Sequence, residues 1–322
     1  MKKSFFIFIL IVVIVLISLF FIFPFEKNED DQTINAAQVS KLLTEEEKNN
    51  ISFSSFFPIK EEDFWTPQLG EKAGLVVLFS PYGKENILYE KNIEEQLPIA
   101  SLTKIMTAMV VIDNYPLDKE VEISEKAIKT LGKSSLCSGE KMTVENLLNL
   151  ALLVSSNDAT SALAEIMGEE RFVKSMNEKA KEIGLLNTFF VNPHGLDEDD
   201  HKNNISSAYD LAIMTQYSLL HYPKIWEILG KSEKNIIGYD SLGREMVHYA
   251  RNVSWELLLR DNILGGKTGY TEDAGETMIV VMKAPGIVKG NIVMVILGVG
   301  IGERIPKSIQ LYNWVYNAYK WE

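Results

Sequence analysis

Lys2-Lys3 open the chain and are followed by an uncharged apolar run from Phe5 to Phe25, after which come Glu26 and the acidic Glu29-Asp30-Asp31. As a helix rising 1.5 Å per residue, the 21 residues of that run reach about 31 Å, the thickness of a bilayer core. A cleavable leader would carry a shorter apolar stretch ending at a small-x-small site, whereas this run ends in Phe23-Pro-Phe-Glu26. No cysteine closes it, which excludes a lipoprotein. Lysines ahead of the span place the N-terminus in the cytoplasm. The pattern therefore predicts a retained membrane anchor over residues 1–25, an extracytoplasmic tether over 26–70 and a globular body over 71–322.

In the tether, Ala37 to Asn49 has the spacing of a short helix. Phe53, Phe56, Phe57, Phe64 and Trp65 then predict that its end packs onto the body. Gly74 to Phe79 reads as a strand, Pro81-Tyr-Gly83 as a turn and Ile87-Leu-Tyr89 as the returning strand of a hairpin. Ile105 to Ile112 is apolar on nearly every side, the mark of a helix buried through the middle of a domain. Thr143 is the N-cap of a further apolar helix reaching Leu153. Helices follow over Ala159–Met167, Glu169–Ile183 and Ser207–Leu220, then strands over Thr277–Lys283 and Asn291–Val299, and a closing amphipathic helix from Pro306 to Trp321. Hairpin, helical middle, hairpin and helix make an α+β order, in which the first and last segments must meet to complete one sheet.

Composition narrows the function. The net charge is −12 and no basic stripe is visible, which argues against nucleic acid as a partner. A single cysteine, Cys137, allows no internal disulfide. It sits in Ser134-Ser-Leu-Cys-Ser-Gly139 and reads as a small thiol with no catalytic part.

Three short motifs carry the chemistry: Ser101-Leu-Thr-Lys104, Ser155-Ser-Asn157 and Lys267-Thr-Gly269. Each arises by chance, the first as a helix cap, the second as a helix stop and the third as a glycine-flanked strand. Together they offer a nucleophile, an amine to deprotonate it, a hydroxyl and an amide to relay and orient, and a cationic strand edge. Ser101 and Lys104, three apart, share a helix face. Burial among Ile105, Met106, Met109 and Val110, and a second cation at Lys267, would lower the lysine from its free value near 10.4. Gly265-Gly-Lys-Thr-Gly-Tyr-Thr271 is not a phosphate loop, because no glycine stands five positions before Gly266, where that motif needs its first. Small residues there let a substrate backbone pair with the strand. His194, Asp197 and His201 have the residue types of a zinc site but sit in a Gly/Asn/Asp-rich stretch that reads as a turn held by imidazole hydrogen bonds. No metal or cofactor is expected. Glu145-Asn-Leu-Leu-Asn149 resembles the deacylating element of class A β-lactamases but precedes the Ser-x-Asn motif instead of following it.

The longer segments around these motifs resemble the low-molecular-mass penicillin-binding proteins of the D-alanyl-D-alanine carboxypeptidase group. They are Pro98 to Ala108, Leu152 to Ala159, Asn192-Pro-His-Gly-Leu196, Ser206 to Ala212 and Gly266 to Gly275. The resemblance runs from about Ala73 to the C-terminus. It implies a β-lactamase/transpeptidase-like fold: an antiparallel sheet flanked by helices, with a helical subdomain. It implies acylation of Ser101 by peptidoglycan stem peptides ending in D-Ala-D-Ala, and by β-lactams. Lys104 would be the base, and Ser155 with Lys267 would deliver the proton to the leaving amine. Asn157 would hold the peptide, the N–H groups of Ser101 and Tyr270 would form the oxyanion hole, and Thr268, beside Gly269, would bind the terminal carboxylate with Arg251 assisting. Ser156 departs from the group's frequent glycine. A DD-endopeptidase is the nearest alternative and a β-lactamase a further one. A silent wall-binding or β-lactam-sensing protein and a zinc peptidase stand beyond those.

Overall fold

The computed structural model describes residues 57–61, 64–81, 83–130, 136–286 and 288–321. The anchor, the helix expected over Ala37–Asn49, Phe53 and Phe56 lie outside the described residues. Among the described residues no helix is long and apolar enough to cross a membrane.

The chain enters through β1 (Ile59–Lys60), then the hairpin β2 (Ala73–Phe79) and β3 (Glu85–Lys91), and the short β4 (Leu97–Pro98). A 3-10 turn over Ala100–Thr103 leads into α1 (Lys104–Asn114), then β5 (Glu120–Glu122), β6 (Lys141–Thr143), α2 (Val144–Leu153), α3 (Asn157–Glu165) and α4 (Glu169–Ile183). Next come β7 (Ile205–Ser206), α5 (Ala208–His221), α6 (Pro223–Leu229) and the hairpin β8 (Glu233–Tyr239) and β9 (Glu245–Arg251). Strands β10 (Ile263–Thr271), β11 (Gly275–Lys283) and β12 (Asn291–Val299), helix α7 (Arg304–Ala318) and β13 (Tyr319–Lys320) complete the fold.

The principal sheet is antiparallel with order β10-β11-β12-β2-β3. Its centre joins the two ends of the chain, Asn291 of β12 lying opposite Phe79 of β2, which is the meeting that the α+β order requires. Both faces of this sheet are covered, so its central strands are apolar over their middle stretches, Met278–Met282 of β11, Ile292–Leu297 of β12 and Leu75–Phe79 of β2. Leu75, Val77, Ile279, Val281, Val293 and Val295 face the helical side. Val76, Leu78, Met278, Val280, Ile292 and Met294 face α7 through Leu311, Trp314 and Val315. That strict alternation is the two-residue period of a strand.

The helical layer also follows its sequence. Every residue from Lys104 to Val111 is buried, so α1 runs through the core. Thr143 caps α2 by accepting from Asn146 N at 3.2 Å. Ser156 caps α3, accepting from Ala159 N at 3.2 Å, in an extended conformation (φ −60°) open to any residue. Its glycine-free motif is thereby accommodated, and α3 starts two residues earlier than the expected Ala159. The tether's end docks by its backbone: Trp314 Nε1 donates to Trp65 O at 2.7 Å and Phe57 packs against the α7-side core. The rings of Phe64 and Trp65 stay exposed.

The four-stranded sheet β5-β6-β8-β9 was not foreseen. Its long hairpin has one face on α2 and one in water, so polar and apolar positions mix at half burial and give no continuous run.

Candidate active site

The first motif straddles the junction between the 3-10 turn and α1. Ser101 stands on the turn and Lys104 opens the helix, so the two side chains meet although Ser101 is not itself α-helical. Ala100, just before the serine, has φ +48°, and Thr103 Oγ1 donates to Ala100 O at 2.7 Å. Gly195, from the Asn192–Leu196 segment, presses on the same carbonyl: a Cβ there would lie 2.0 Å from Ala100 O.

Lys104 is 1% exposed. Its Nζ lies 2.9 Å from Ser101 Oγ, 2.8 Å from Asn157 Oδ1 and 2.6 Å from His194 O. Burial, and then the charge of Lys267, push the Lys104 amine well below its ordinary value. A neutral amine has two N–H groups and one lone pair. Asn157 Oδ1 and His194 O can accept only, so they take the two N–H groups, and the lone pair is left for the Ser101 hydroxyl. The neighbouring His194 ring is held by burial, and then by the Lys104 charge, at about 3.

The second motif is the α2–α3 junction. Ser155 has φ +60°, a left-handed turn that ends α2 before Ser156 caps α3. The third motif lies on β10, an edge strand of the principal sheet. Lys267, fully buried, donates from Nζ to Ser155 Oγ at 2.9 Å and to Thr268 O at 2.9 Å. Burial, and then Arg304, lower it to about 7. Gly269 lets β10 approach the nucleophile, since a Cβ there would lie 2.9 Å from Ser101 N and 2.4 Å from Thr277 Oγ1. Thr268 is buried beside it and Tyr270 is half exposed at the strand's end.

The structure thus brings Ser101, Lys104, Ser155, Asn157, Lys267, Thr268 and Gly269 into one cluster. Arg251, at the end of β9, is exposed and has its guanidinium 3.9 Å from the centroid of the Trp255 ring. The cation that touches the Lys267 strand is instead Arg304, at the start of α7, whose Nη1 donates to Gly269 O at 3.2 Å and lies 3.3 Å from Glu276. Sequence reasoning missed Arg304 because the β10–β11–β12–α7 connection carries it back. It also missed the His194 carbonyl, since a backbone atom has no residue signature. The two histidines of the zinc-like stretch do not converge. His194 Nδ1 accepts from Leu196 N at 3.2 Å, while exposed His201 lies 2.9 Å from Asp273. Among the described residues no cluster of three such side chains could hold a metal ion. Glu145 pairs with Lys224 at 2.7 Å.

Comparison with known proteins agrees with this geometry. Residues 71–299 match the sequence profile of the peptidase family described as D-alanyl-D-alanine carboxypeptidase. The chain is 34% identical over 273 residues to D-alanyl-D-alanine carboxypeptidase DacF of Bacillus subtilis, covering 81% of this chain and 66% of that protein. It is 33% identical over 223 residues to a D-alanyl-D-alanine endopeptidase of Pseudomonas aeruginosa, covering 66% of this chain and 68% of that protein. The chain thus spans about two thirds of the length of these two relatives. In fold it is similar to the D-alanyl-D-alanine carboxypeptidase of Mycobacterium tuberculosis, with a TM-score of 0.70, 24% identity and coverage of 80% of this chain and 96% of the other. A Streptomyces DD-transpeptidase has a TM-score of 0.70 at 23% identity, over 79% of this chain and 99% of the other.

Proposed function

The chain belongs to the D-alanyl-D-alanine carboxypeptidase family, and from that membership we propose a membrane-anchored serine DD-carboxypeptidase that removes the terminal D-Ala from peptidoglycan stem peptides. The observation that carries the reading is the position of Lys104 Nζ, 2.9 Å from Ser101 Oγ with both N–H groups engaged elsewhere. Ser101 attacks the D-Ala-D-Ala carbonyl as Lys104 takes its proton, and the N–H groups of Ser101 and Tyr270 hold the oxyanion. Ser155, hydrogen-bonded to Lys267, passes a proton to the leaving amine, and water then releases the acyl group. Thr268 and Lys267 bind the terminal carboxylate, and Asn157 holds the peptide. Arg304 keeps the Gly269 carbonyl in place. Penicillin acylates Ser101 in the same way. Residues 1–25 hold the catalytic body at the outer face of the membrane, where the wall substrate is.

A DD-endopeptidase is the second reading, favoured by the endopeptidase relative of similar identity. Fluorescent penicillin should label the chain and leave Ser101→Ala unlabelled, as read by intact mass. An unlabelled wild-type chain would sink the acyl-enzyme mechanism. Release of D-Ala from a monomeric pentapeptide, set against cleavage of crosslinked dimers, decides between the two activities.

The lysine pair also predicts a pH profile. Acylation needs neutral Lys104 and charged Lys267. The rate should fall in acid as Lys104 gains its proton, and in alkali as Lys267, at about 7, loses its own. Lys267→Gln removes the charge that helps depress Lys104, so the acid limb should move to higher pH as the rate drops. An acid limb that stays in place would show that the two amines do not interact.

A further inference from the structure

Strand β9 is the last strand of the four-stranded sheet, and among the described residues nothing pairs with its outer side. It runs seven residues, Glu245–Arg251, in unbroken register with β8, without proline or bulge. Natural proteins usually blunt such an edge with a proline, a bulge, a lysine or a covering element. Here the middle of the exposed face is apolar: Val247 is 58% and Tyr249 61% exposed between the exposed Glu245 and Arg251, and beside them on the same hairpin lie Ile237, Tyr239 and Leu242.

The direction of the free groups follows from the ends of the ladder. Asp240 N donates to Arg244 O and Asn252 N to Ser232 O. Positions 244 and 252 therefore bond toward β8, as do the even positions between them. The N–H and C=O groups of Glu245, Val247, Tyr249 and Arg251 point to the open side, because directions alternate along an antiparallel ladder. The same four side chains are exposed.

We propose that β9 is a self-association edge that pairs antiparallel with β9 of a second copy about a two-fold axis at His248. In that register Glu245 faces Arg251 of the second copy at both ends, and Val247 faces Tyr249 between them. All outward N–H and C=O groups fall opposite one another in hydrogen-bonded pairs, and the two sheets become one continuous sheet. A parallel alignment would set Glu245 beside Glu245 and Arg251 beside Arg251, and like charges directly opposite destabilise a strand pair. The sequence is complementary to itself only in the two-fold arrangement, which is the symmetry of an isologous dimer.

The test is the protein mass of the full chain in detergent by light scattering, with melting temperature as a control on folding. Wild type should have twice the mass of one chain. Val247→Lys should return it to one chain with the melting temperature unchanged, because position 247 neither bonds to β8 nor faces the core. Glu245→Arg should also break the dimer by setting arginine against arginine, and adding Arg251→Glu should restore it. A wild-type chain of single mass would overturn the proposal and leave the edge to another occupant. A doubled mass that survives Val247→Lys would overturn it too, by placing the association elsewhere. Failure of the charge swap to restore the dimer would overturn the register.

Discussion

Lys104→Met is expected to slow acylation of Ser101 by about 10²–10⁴-fold, the usual contribution of a positioned general base. Methionine is unbranched and of similar length, so it fills the same buried space without a nitrogen. The Ser101 hydroxyl then keeps its proton, while the backbone around it is unchanged and the oxyanion donors remain. Two opposing stability effects accompany the change. A lysine whose folded pKa is depressed opposes folding below its unfolded value, because the unfolded chain binds a proton that the folded one has lost, and stability rises as pH climbs toward that value near 10.4. Removing Lys104 relieves that burden. It also leaves His194 O and Asn157 Oδ1 without this donor, and orphaning a buried acceptor costs about 1–3 kcal/mol. The melting temperature should therefore move little while the rate collapses. Timed labelling with fluorescent penicillin, beside a thermal melt, measures both. A labelling rate within tenfold of wild type would show that another group takes the proton.

Gly195→Ala should have the largest effect on stability, about 3 kcal/mol or more, although the residue lies outside all three motifs. Gly195 has φ +84° and its added Cβ would lie 2.0 Å from Ala100 O and 2.4 Å from Ala100 C. Both are backbone atoms and cannot swing aside. The same peptide group leads into Ser101, so the displaced atoms carry the nucleophile with them and acylation should fall together with the melting temperature. Gly184→Ala separates conformational strain from collision. Gly184 has φ +87° but nothing within 4 Å of an added Cβ, so only the left-handed strain applies, about 1 kcal/mol. Denaturant melts of both variants test the comparison. Equal losses would show that the approach of Gly195 to Ala100 O is not tight.

Much of the fold was legible because burial on both faces leaves a plain mark. β2 reads Ala-Gly-Leu-Val-Val-Leu-Phe and is buried throughout, and α1 is apolar on nearly every side for the same reason. Helix ends were legible where a side chain closes them, as Thr143 does for α2. The β8–β9 hairpin was not, since one wet face dilutes its apolar signal and its pairing with β6 is non-local. In the site, Ser101, Lys104, Ser155, Asn157 and Lys267 could be named from motif order. Arg251 was named as an assisting cation and stacks on Trp255, whereas Arg304, which reaches the Gly269 carbonyl, carries no motif that would name it.

The sequence by itself determined which groups could react, because residue type sets what a side chain can donate, accept or attack, and local spacing already places Lys104 beside Ser101. It also determined the order of the elements, through periodicity and caps. Only the tertiary structure decided the state of those groups. Whether Lys104 is neutral depends on its burial, on Lys267, 163 positions away in the chain, and on a carbonyl contributed by His194. Solvation and charge act through space, and the distances that set them exist only after β10, α1 and the Asn192–Leu196 segment have packed together.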